Sequence, residues 1–495
     1  MTGKDKVQSM AENKNEVGIL AFGAYLPRLR LSRKAVADAN AWFNPGLKGL
    51  AKGERTICNW DEDSVTMAVE AARDCLTGQD RNTLASVSFA STTLPFEDRL
   101  NAGIIVEALN LKPNVNAQDL TASQRAATSG LITALQMARG GAGPVLMVAS
   151  EKRRTRTASP LELQTGDGAA ALLVGAGPVV AKFIASASRT VDFVDHFRGE
   201  GFEFDYTWEE RWIRDEGYNK IVPAALADLF KSTDVKPADI AHFAMPCVLA
   251  RVAAGIAKKA GMPDAAVRDN LHTVCGETGA AHPLVMLADA LETAKPGDKI
   301  LVVGFGQGCD ALLFEATGDL AKLAPRLGIK GHLARRKEET NYNKYLSFND
   351  LVSIERGMRA DVDKATPLSS LYRNRRMLTG FIGGECKKCG TLQFPKSNVC
   401  VNPNCNAFHT QEDAPFADTP AKVQSYTADR LTYSPDPPHY YGMVVFDEGG
   451  RTMIDFTDAD AETVDVAAPM RMMFRIKEYD SNRGFTRYYW KAAPA

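Results

Sequence analysis

Short apolar runs alternate with helix-forming stretches from Val17 to Ala316, and that alternation admits few folds. Val17–Tyr25 (VGILAFGAY), Ala85–Ala90, Val145–Ala149 and Ala169–Val174 are each bounded by Gly, Pro or polar residues, as buried strands are. Val65–Leu76 carries apolar and small residues at helical spacing, behind Asp63 or Ser64 as cap, and Ser32 is placed to cap another helix. Ala126–Gly140 is a further small-residue helix. A second set begins near residue 181, with strands at Phe183–Ala187, Ile240–Met245, Lys299–Gly304 and Ala311–Ala316. Its helices fall at Ile221–Phe230 and His282–Ala294, the latter with Pro283 in its first turn. Strands alternating with helices imply a layered α/β fold. Two comparable sets point to duplicated halves, residues 17–180 and 181–325, although no repeat is visible in the residues themselves.

At 495 residues the chain exceeds what one core organises. A net charge of −1 gives nothing to draw it to nucleic acid or to an anionic membrane surface. No run of about 18 apolar residues is present, so no membrane span is expected. Residues 1–16 lack an apolar signal core and read as a disordered tail, which argues against secretion. Of nine cysteines, four cluster and five (Cys58, Cys75, Cys247, Cys275, Cys309) are scattered, a usage that fits a reducing cytoplasm.

The character changes after residue 325. Lys330–Lys344 is charged and polar, and Tyr345–Met358 reads as a helix, so 326–378 is expected to be a linker with a helix. Cys386-Lys387-Lys388-Cys389 sets two thiolates on one turn, and Cys400 and Cys405 supply a second pair. Four sulfurs in that pattern suit a tetrahedral zinc site with every position filled by protein, hence a structural one, within 379–412. From 413 to 495 short β-like runs alternate with turns, as in a small all-β barrel.

Several motifs invite a chemical reading. Gly304-Phe305-Gly306-Gln307-Gly308 resembles a dinucleotide loop, but a strand follows it rather than a helix, so it reads as a tight hairpin under an active site and NAD is rejected. Lys152-Arg153-Arg154-Thr155-Arg156 is either a solvated loop or a contact for the phosphates of a nucleotide-bearing ligand. Cys275–Pro283 offers a thiol, the Glu277 carboxylate and the His282 imidazole at a helix start, or simply a small-residue turn with a capping histidine. Cys247 follows Pro246 at a strand end and reads first as a buried apolar residue. Val191–Tyr218 is dense in aromatics and acids, suiting an exposed or dimer surface, or the lining of a substrate pocket.

Val17–Leu31, Trp60–Asp74, Thr121–Gly130 and Gly166–Gly175 (GDGAAALLVG) together resemble the hydroxymethylglutaryl-CoA synthase and ketoacyl-synthase-III branch of the thiolase superfamily, over residues 17–320. Residues from about 340 to 495 resemble the zinc-ribbon plus OB-fold module found beside such acyl-CoA enzymes. The resemblance implies an α/β, five-layered αβαβα thiolase-like fold, a homodimer, and coenzyme A thioesters as substrate or product. It also implies Claisen-type chemistry through an acylated cysteine at the start of a helix.

This chain departs from that pattern at the centre. The family's cysteine falls at Gln124, its histidine at Ala244, its asparagine at Glu277 and its glutamate at Thr93. Gln124 forms no acyl-enzyme, but its amide hydrogen-bonds a carbonyl. The expectation is therefore an enzyme that makes or, preferably, cleaves a C–C bond in a CoA thioester or β-keto acid without a covalent step. Gln124 would orient the carbonyl, Glu277 or His282 would move the proton, and Cys247 or Cys275 would be a displaced nucleophile, with Ser123 a lesser alternative. Arg153, Arg154 and Gly306 are the candidates for CoA contact. Two other readings stay open: an acyltransferase with a relocated cysteine, and a non-catalytic CoA-binding scaffold beside a thiolase-like partner.

Overall fold

The computed structural model describes residues 16–495. The tail expected at 1–16 falls outside them except for Glu16, which pairs with Lys182 at 2.6 Å. Two compact units emerge. The first takes the chain to Cys58 together with Asp63–Gly103 and Lys112–Tyr345, and the second takes Asn59–Glu62, Ile104–Leu111 and Leu346–Ala495.

The first unit holds a nine-stranded sheet. Its strands are β1 (Val17–Tyr25), β2 (Ser86–Ala90), β3 (Asn116–Leu120), β4 (Val145–Glu151), β5 (Gly168–Ala176), β6 (Ala181–Thr190), β7 (Ile240–Ala244), β8 (Lys299–Phe305) and β9 (Gly308–Ala316). Five helices matter to the argument: α1 (Ser64–Cys75), α2 (Ala126–Arg139), α3 (Asn219–Lys231), α4 (Val252–Ala260) and α5 (His282–Leu291). The spatial order is β7-β8-β9-β6-β1-β5-β4-β2-β3. From β1 outward the pairings run antiparallel to β5, antiparallel to β4, parallel to β2 and parallel to β3. From β6 outward they run antiparallel to β9, antiparallel to β8 and parallel to β7, and a parallel bridge from Phe243 to Val267 stands where a fifth strand would be. The halves are thus duplicated in topology, and they join at Gly18↔Lys182 and Ile19↔Ala181.

Strand alternation sorts the core. Ile300, Val302, Leu312 and Phe314 pack with residues of α2 and α5, such as Leu131 and Leu284. Their neighbours Leu301, Val303, Ala311 and Leu313 pack the other way, with Val222 of α3 and Ile256 of α4. In the first half Met147, Leu172 and Val174 also join the α2–α5 cluster, while α1 lies against β1, β4 and β5. Helices α2 and α5 are therefore the central layer, between half-sheets that carry α1 on one side and α3 and α4 on the other. Each follows the outermost parallel connection of its half, so their amino ends are topological equivalents. Asp63 caps α1 through a reciprocal pair, accepting from Thr66 N and donating its own N–H to Thr66 Oγ1.

Two expectations near the unit boundary are corrected. Lys330–Lys344 is not a linker: Gly328–Ala334 is helical, and Lys337–Glu339 pairs in parallel with Leu29–Leu31. Its charge is used internally, as Arg335 Nη2 donates to Leu26 O at 2.9 Å and Arg336 pairs with Glu54. The helix expected over 345–358 is Tyr342–Phe348 instead. It stops at Asn349-Asp350, where Asp350 enters the left-handed region at φ 53°.

In the second unit, β10 (Ile382–Cys386), β11 (Leu392–Gln393) and β12 (Gln411–Pro415) form a small sheet around the clustered cysteines. Beyond it, β13 (Ala421–Asp429), β14 (His439–Phe446), β15 (Arg451–Asp455), β16 (Pro469–Asp480) and β17 (Phe485–Pro494) pair in the order β15-β14-β13-β16-β17. A bridge from Phe456 to Ala492 brings the two ends of this sheet together. Phe381, Phe416, Phe446, Phe474 and Trp490 fill the interior.

Candidate functional site

The turn before α2 is fixed by contacts made from other strands. Asp310 on β9, 1% exposed, accepts hydrogen bonds from Arg125 Nη1 (3.1 Å), Thr128 Oγ1 (3.0 Å), Ser129 Oγ (2.7 Å) and Ser188 Oγ (2.7 Å). Ser123 Oγ donates to Gly306 O at 3.1 Å. A Cβ on Gly306 would lie 3.1 Å from both Gln124 Cβ and Arg125 N, so the β8–β9 hairpin packs tightly against the Gln124 turn, and a larger residue there would push it back by a few tenths of an ångström. The glycine-rich stretch is thus a hairpin against the Gln124 turn, as its sequence context implied.

Gln124 projects into a buried polar cluster. Its Nε2 lies 3.5 Å from Thr92 Oγ1, and its Oε1 is buried with no hydrogen-bond partner. Glu151, the last residue of β4, has no exposed surface. Its carboxyl accepts from Thr92 N, from Thr92 Oγ1 at 3.0 Å and from Thr93 Oγ1 at 3.2 Å. Gly279, at φ 56° just before α5, closes the cluster. A Cβ there would come within 2.9 Å of Gln124 Oε1 and of Glu151 Cγ, and 3.0 Å of Arg153 Cδ. The amino ends of α2 and α5 therefore meet at one place, where their dipoles favour negative charge.

Arg153 ties this cluster to Glu277. It pairs with Asp205 at 2.8 Å and with Glu277 at 3.3 Å, and Arg198 supports Asp205 from the other side at 2.8 Å. Burial lowers the Arg153 pKa, but Asp205, Glu277 and Glu151 outweigh it and raise the guanidinium above its ordinary value. The basic run is extended, so alternate side chains face opposite ways. Arg153 and Thr155 are buried, whereas Arg154 and Arg156 are exposed. Arg154 pairs with Glu203 at 3.7 Å and Arg156 lies 5.4 Å from the Phe204 ring. The expectation that Arg153 and Arg154 meet ligand phosphates is revised for Arg153, whose charge is taken up by two carboxylates of its own chain.

Beyond Glu277 lies Tyr218, at the end of a π-helical turn (Ile213–Tyr218) that leads into α3, a distortion common at functional sites. Its ring stacks on Phe305 at 4.2 Å, and its hydroxyl hydrogen-bonds the Cys247 thiol. Burial raises Tyr218 well above its ordinary pKa and pushes Cys247 up to about 12. Phe193 packs edge-on against Phe305 and stacks on Trp212. With Asp192, Val194, Phe197 and Trp208, Phe193 and Trp212 line an open groove of about 400 Å³.

Of the residues singled out in the sequence, Gln124, Arg153, Glu277, Gly306 and Cys247 converge here, and His282 does not join them as a base. His282 is fully buried, its Nδ1 accepts from Thr278 N at 2.9 Å, and its Nε2 donates to Asn270 O at 2.9 Å. Both ring nitrogens are used, and burial lowers the pKa further. Cys275 is also fully buried, 3.7 Å from Thr56 Oγ1, and burial pushes it up to about 11. Sequence reasoning missed Glu151, Thr92, Asp205 and Tyr218. The signal in reach was a charged residue, Glu151, two positions after the apolar run Val145–Ala149 and on the same buried strand.

Burial pushes the Glu151 pKa up to about 7, against Arg153 and the hydrogen bonds from Thr92. The ordinary value for glutamate is near ~4.3, so between these two pH values the folded state holds a proton that the unfolded chain releases. Stability from this group is complete below the lower value and is lost as pH rises through the upper one. Glu151→Gln is expected to remove a decline of about 3 kcal/mol between pH 5 and pH 8. Urea denaturation of both proteins at the two pH values measures it; an unchanged slope would refute the assignment.

In the second unit the Sγ atoms of Cys386, Cys389, Cys400 and Cys405 all lie within 4.8 Å of one another. Cys386 and Cys405 are 3.9 Å apart, and Cys389 and Cys400 are 3.6 Å apart. Four thiolates about 2.3 Å from one tetrahedral zinc stand about 3.8 Å from each other, so the residues fit that ion. Thr410 and Thr391 each place Oγ1 3.2 Å from a ligand sulfur, where a hydroxyl donor steadies a thiolate.

Comparison with known proteins agrees with both halves of this description. Residues 230–314 match the family described as 3-oxoacyl-[acyl-carrier-protein] synthase III C terminal, and residues 380–408 match the ChsH2 rubredoxin-like zinc ribbon domain. The chain is 30% identical over 338 residues to a hydroxymethylglutaryl-CoA synthase of Aeropyrum pernix, covering 67% of this chain and 94% of that one. It is 29% identical over 350 residues to its counterpart in Pyrobaculum arsenaticum, covering 68% and 99%. A crystal structure of an HMG-CoA synthase complexed with CoA superposes with a TM-score of 0.60 at 19% identity, over 71% of this chain and 95% of that one. The 3-oxoacyl-[acyl-carrier-protein] synthase III of Aquifex aeolicus gives 0.54 at 20%, over 60% and 99%. These two structures share the fold. Among the described residues no helix is long and apolar enough to cross a membrane.

Proposed function

Because the chain belongs to the hydroxymethylglutaryl-CoA synthase family of thiolase-like acyl-CoA enzymes, we propose that it breaks a C–C bond in a CoA thioester without forming an acyl-enzyme. The observation that carries this reading is Gln124 at the amino end of α2, with no reactive thiol to replace a cysteine there. Cys247 and Cys275 are both buried, with pKa values pushed up to about 12 and about 11, so neither supplies thiolate near neutral pH.

The residues present suit a retro-aldol cleavage. Glu277, the least buried carboxylate of the cluster, takes the proton of a β-hydroxyl. The Cα–Cβ electron pair moves into the thioester as an enolate, and the β-carbon leaves as a carbonyl. The same carboxyl then returns the proton to Cα, so atoms and charge balance without an added oxidant or water. The amino ends of α2 and α5 favour the enolate charge. Arg153 holds Glu277 in place.

Intact-mass measurement after incubation with acyl-CoA is expected to show no adduct. Gln124→Leu is expected to lower kcat/KM by about 10-fold, the worth of about one hydrogen bond to the buried, unpartnered Oε1. A stable adduct that disappears in Cys247→Ala would sink the reading in favour of a relocated nucleophile. A chain that turns over no CoA thioester except with an added thiolase-like protein would be a scaffold.

We also read the zinc as structural, since the four thiolates leave no open position. Chelation is expected to abolish amide-exchange protection over Ile382–Pro415, because so small a sheet has little core of its own. Unchanged protection in metal-free protein would count against that role.

A further inference from the structure

The C–C cleavage runs on one base, since Glu277 takes the single proton that moves and then returns it. A second base with no part in that exchange stands at the same site. His196 and Phe197 pair with Thr207 and Tyr206 in a short antiparallel ribbon. Phe197 and Tyr206 pack together at 5.5 Å on its exposed face, so His196 projects from the other, as does Arg198 two residues on. Arg198 donates to Thr92 O, and Thr92 Oγ1 meets Gln124 Nε2 at 3.5 Å. At the other end of the segment Asp195 Oδ1 accepts from Gln307 Nε2 at 3.2 Å, and Gln307 follows Gly306, which packs on Gln124. Both ends of Asp195–Arg198 are therefore tied to neighbours of Gln124, and His196 lies between them.

The imidazole is arranged as a base. Its Nδ1 lies 3.0 Å from Asp195 Oδ2. With a carboxylate oxygen as acceptor, Nδ1 carries the ring hydrogen and Nε2 keeps its lone pair. The pair is mostly enclosed, the His196 side chain 17% exposed and that of Asp195 13%. Among the described residues nothing hydrogen-bonds His196 Nε2. His282 differs, since both of its ring nitrogens are spent. A base oriented by a carboxylate, with its second nitrogen open, is the arrangement that activates a nucleophile.

We propose that Asp195 and His196 give the site a second activity, hydrolysis of a CoA thioester by water. This rests on the reading of the site as one for CoA thioesters and is independent of C–C cleavage. His196 Nε2 takes a proton from water as the water oxygen bonds to the thioester carbonyl carbon. The carbonyl electron pair moves onto its oxygen, where the amino ends of α2 and α5 favour the charge. When that pair returns, the C–S bond breaks, and the CoA sulfur leaves with the bonding electrons and collects the proton from Nε2. A carboxylic acid and free CoA result, and no side chain is acylated. His196 is the catalytic residue and Asp195 a positioning residue.

The test uses butyryl-CoA, which has no β-hydroxyl and cannot undergo the retro-aldol. The full chain, expressed with zinc, is assayed for free CoA with a thiol-reactive chromophore. Release above the uncatalysed rate is expected, with no acyl adduct by intact mass. His196→Gln is expected to lower kcat by about 10²- to 10⁴-fold, the range for one general base. Asp195→Asn is expected to lower kcat with KM unchanged. Free imidazole is expected to restore part of the rate to His196→Gly, a rescue that a merely structural histidine would not give. No release by the parent chain, release unchanged in His196→Gln, or a stable acyl adduct would overturn the proposal. Acetaldehyde release from 3-hydroxybutyryl-CoA reads C–C cleavage separately. Its absence alongside CoA release from butyryl-CoA would overturn the cleavage reading and support hydrolysis alone.

Discussion

Replacing Arg153 by Met is expected to cost about 3–5 kcal/mol of stability, the range for stripping one partner from a buried ion pair, and to abolish turnover. Arg153 is the cation between Glu151, Asp205 and Glu277, and its side chain is 6% exposed. Without it Asp205 keeps Arg198, but Glu277 loses the contact that orients it. Arg153→Lys is expected to recover little, because a single ammonium does not reproduce a fork that grips two carboxylates at once. Denaturation midpoints and single-turnover assays on the two variants measure the effect. A Met variant within about 1 kcal/mol of the parent, the range of exposed pairs, would show that the cluster is solvated and the assignment wrong.

The second large effect is expected from Arg475→Met in the C-terminal unit, again about 3–5 kcal/mol. Arg475 is fully buried, with Nη2 3.0 Å from Glu62 and 3.2 Å from Asp458, and Nε 3.7 Å from Asp61. Lys491, 2% exposed, pairs with Asp61 at 2.8 Å, and Thr457 Oγ1 donates to the same carboxylate at 2.9 Å. Three acids and two cations thus tie the distant segment Asn59–Glu62 to the five-stranded sheet of the second unit. Removing the arginine leaves more buried negative charge than Lys491 neutralises. The expected result is early loss of amide protection in β16 and β17 at neutral pH. A matching loss in Lys491→Met, which strips the other cation from the same acids, would support this cause. An Arg475→Met variant within about 1 kcal/mol of the parent, the range of exposed pairs, would refute the buried network.

How legible these features were depends on the range over which each is specified. The Cys386–Cys405 cluster was visible because its first pair sits on one turn and its second follows within twenty residues, so spacing alone encodes geometry. The apolar runs that become β1, β4, β5 and β8 were visible because a buried strand needs little more than its own composition. The charge of Lys330–Lys344 points to solvent, but the stretch is packed. Arg335 instead donates to the Leu26 carbonyl and to the His332 ring, a use that composition does not reveal. His282 misled for a related reason, since an imidazole beside a glycine-rich turn reads as a base until both ring nitrogens are found bonded.

By itself the sequence determined the layered α/β architecture, the zinc-type ribbon and the turn at Gln124, each of which is written in residues close together along the chain. Only the tertiary structure decided the composition of the site. Glu151 meets Thr92 across 59 positions, and Arg153 meets Glu277 across 124. A charged side chain carries a sign but no address. Which carboxylate is buried, which is paired, and which amide oxygen is left without a partner were settled when β4, the Thr92 loop and the amino ends of α2 and α5 packed together.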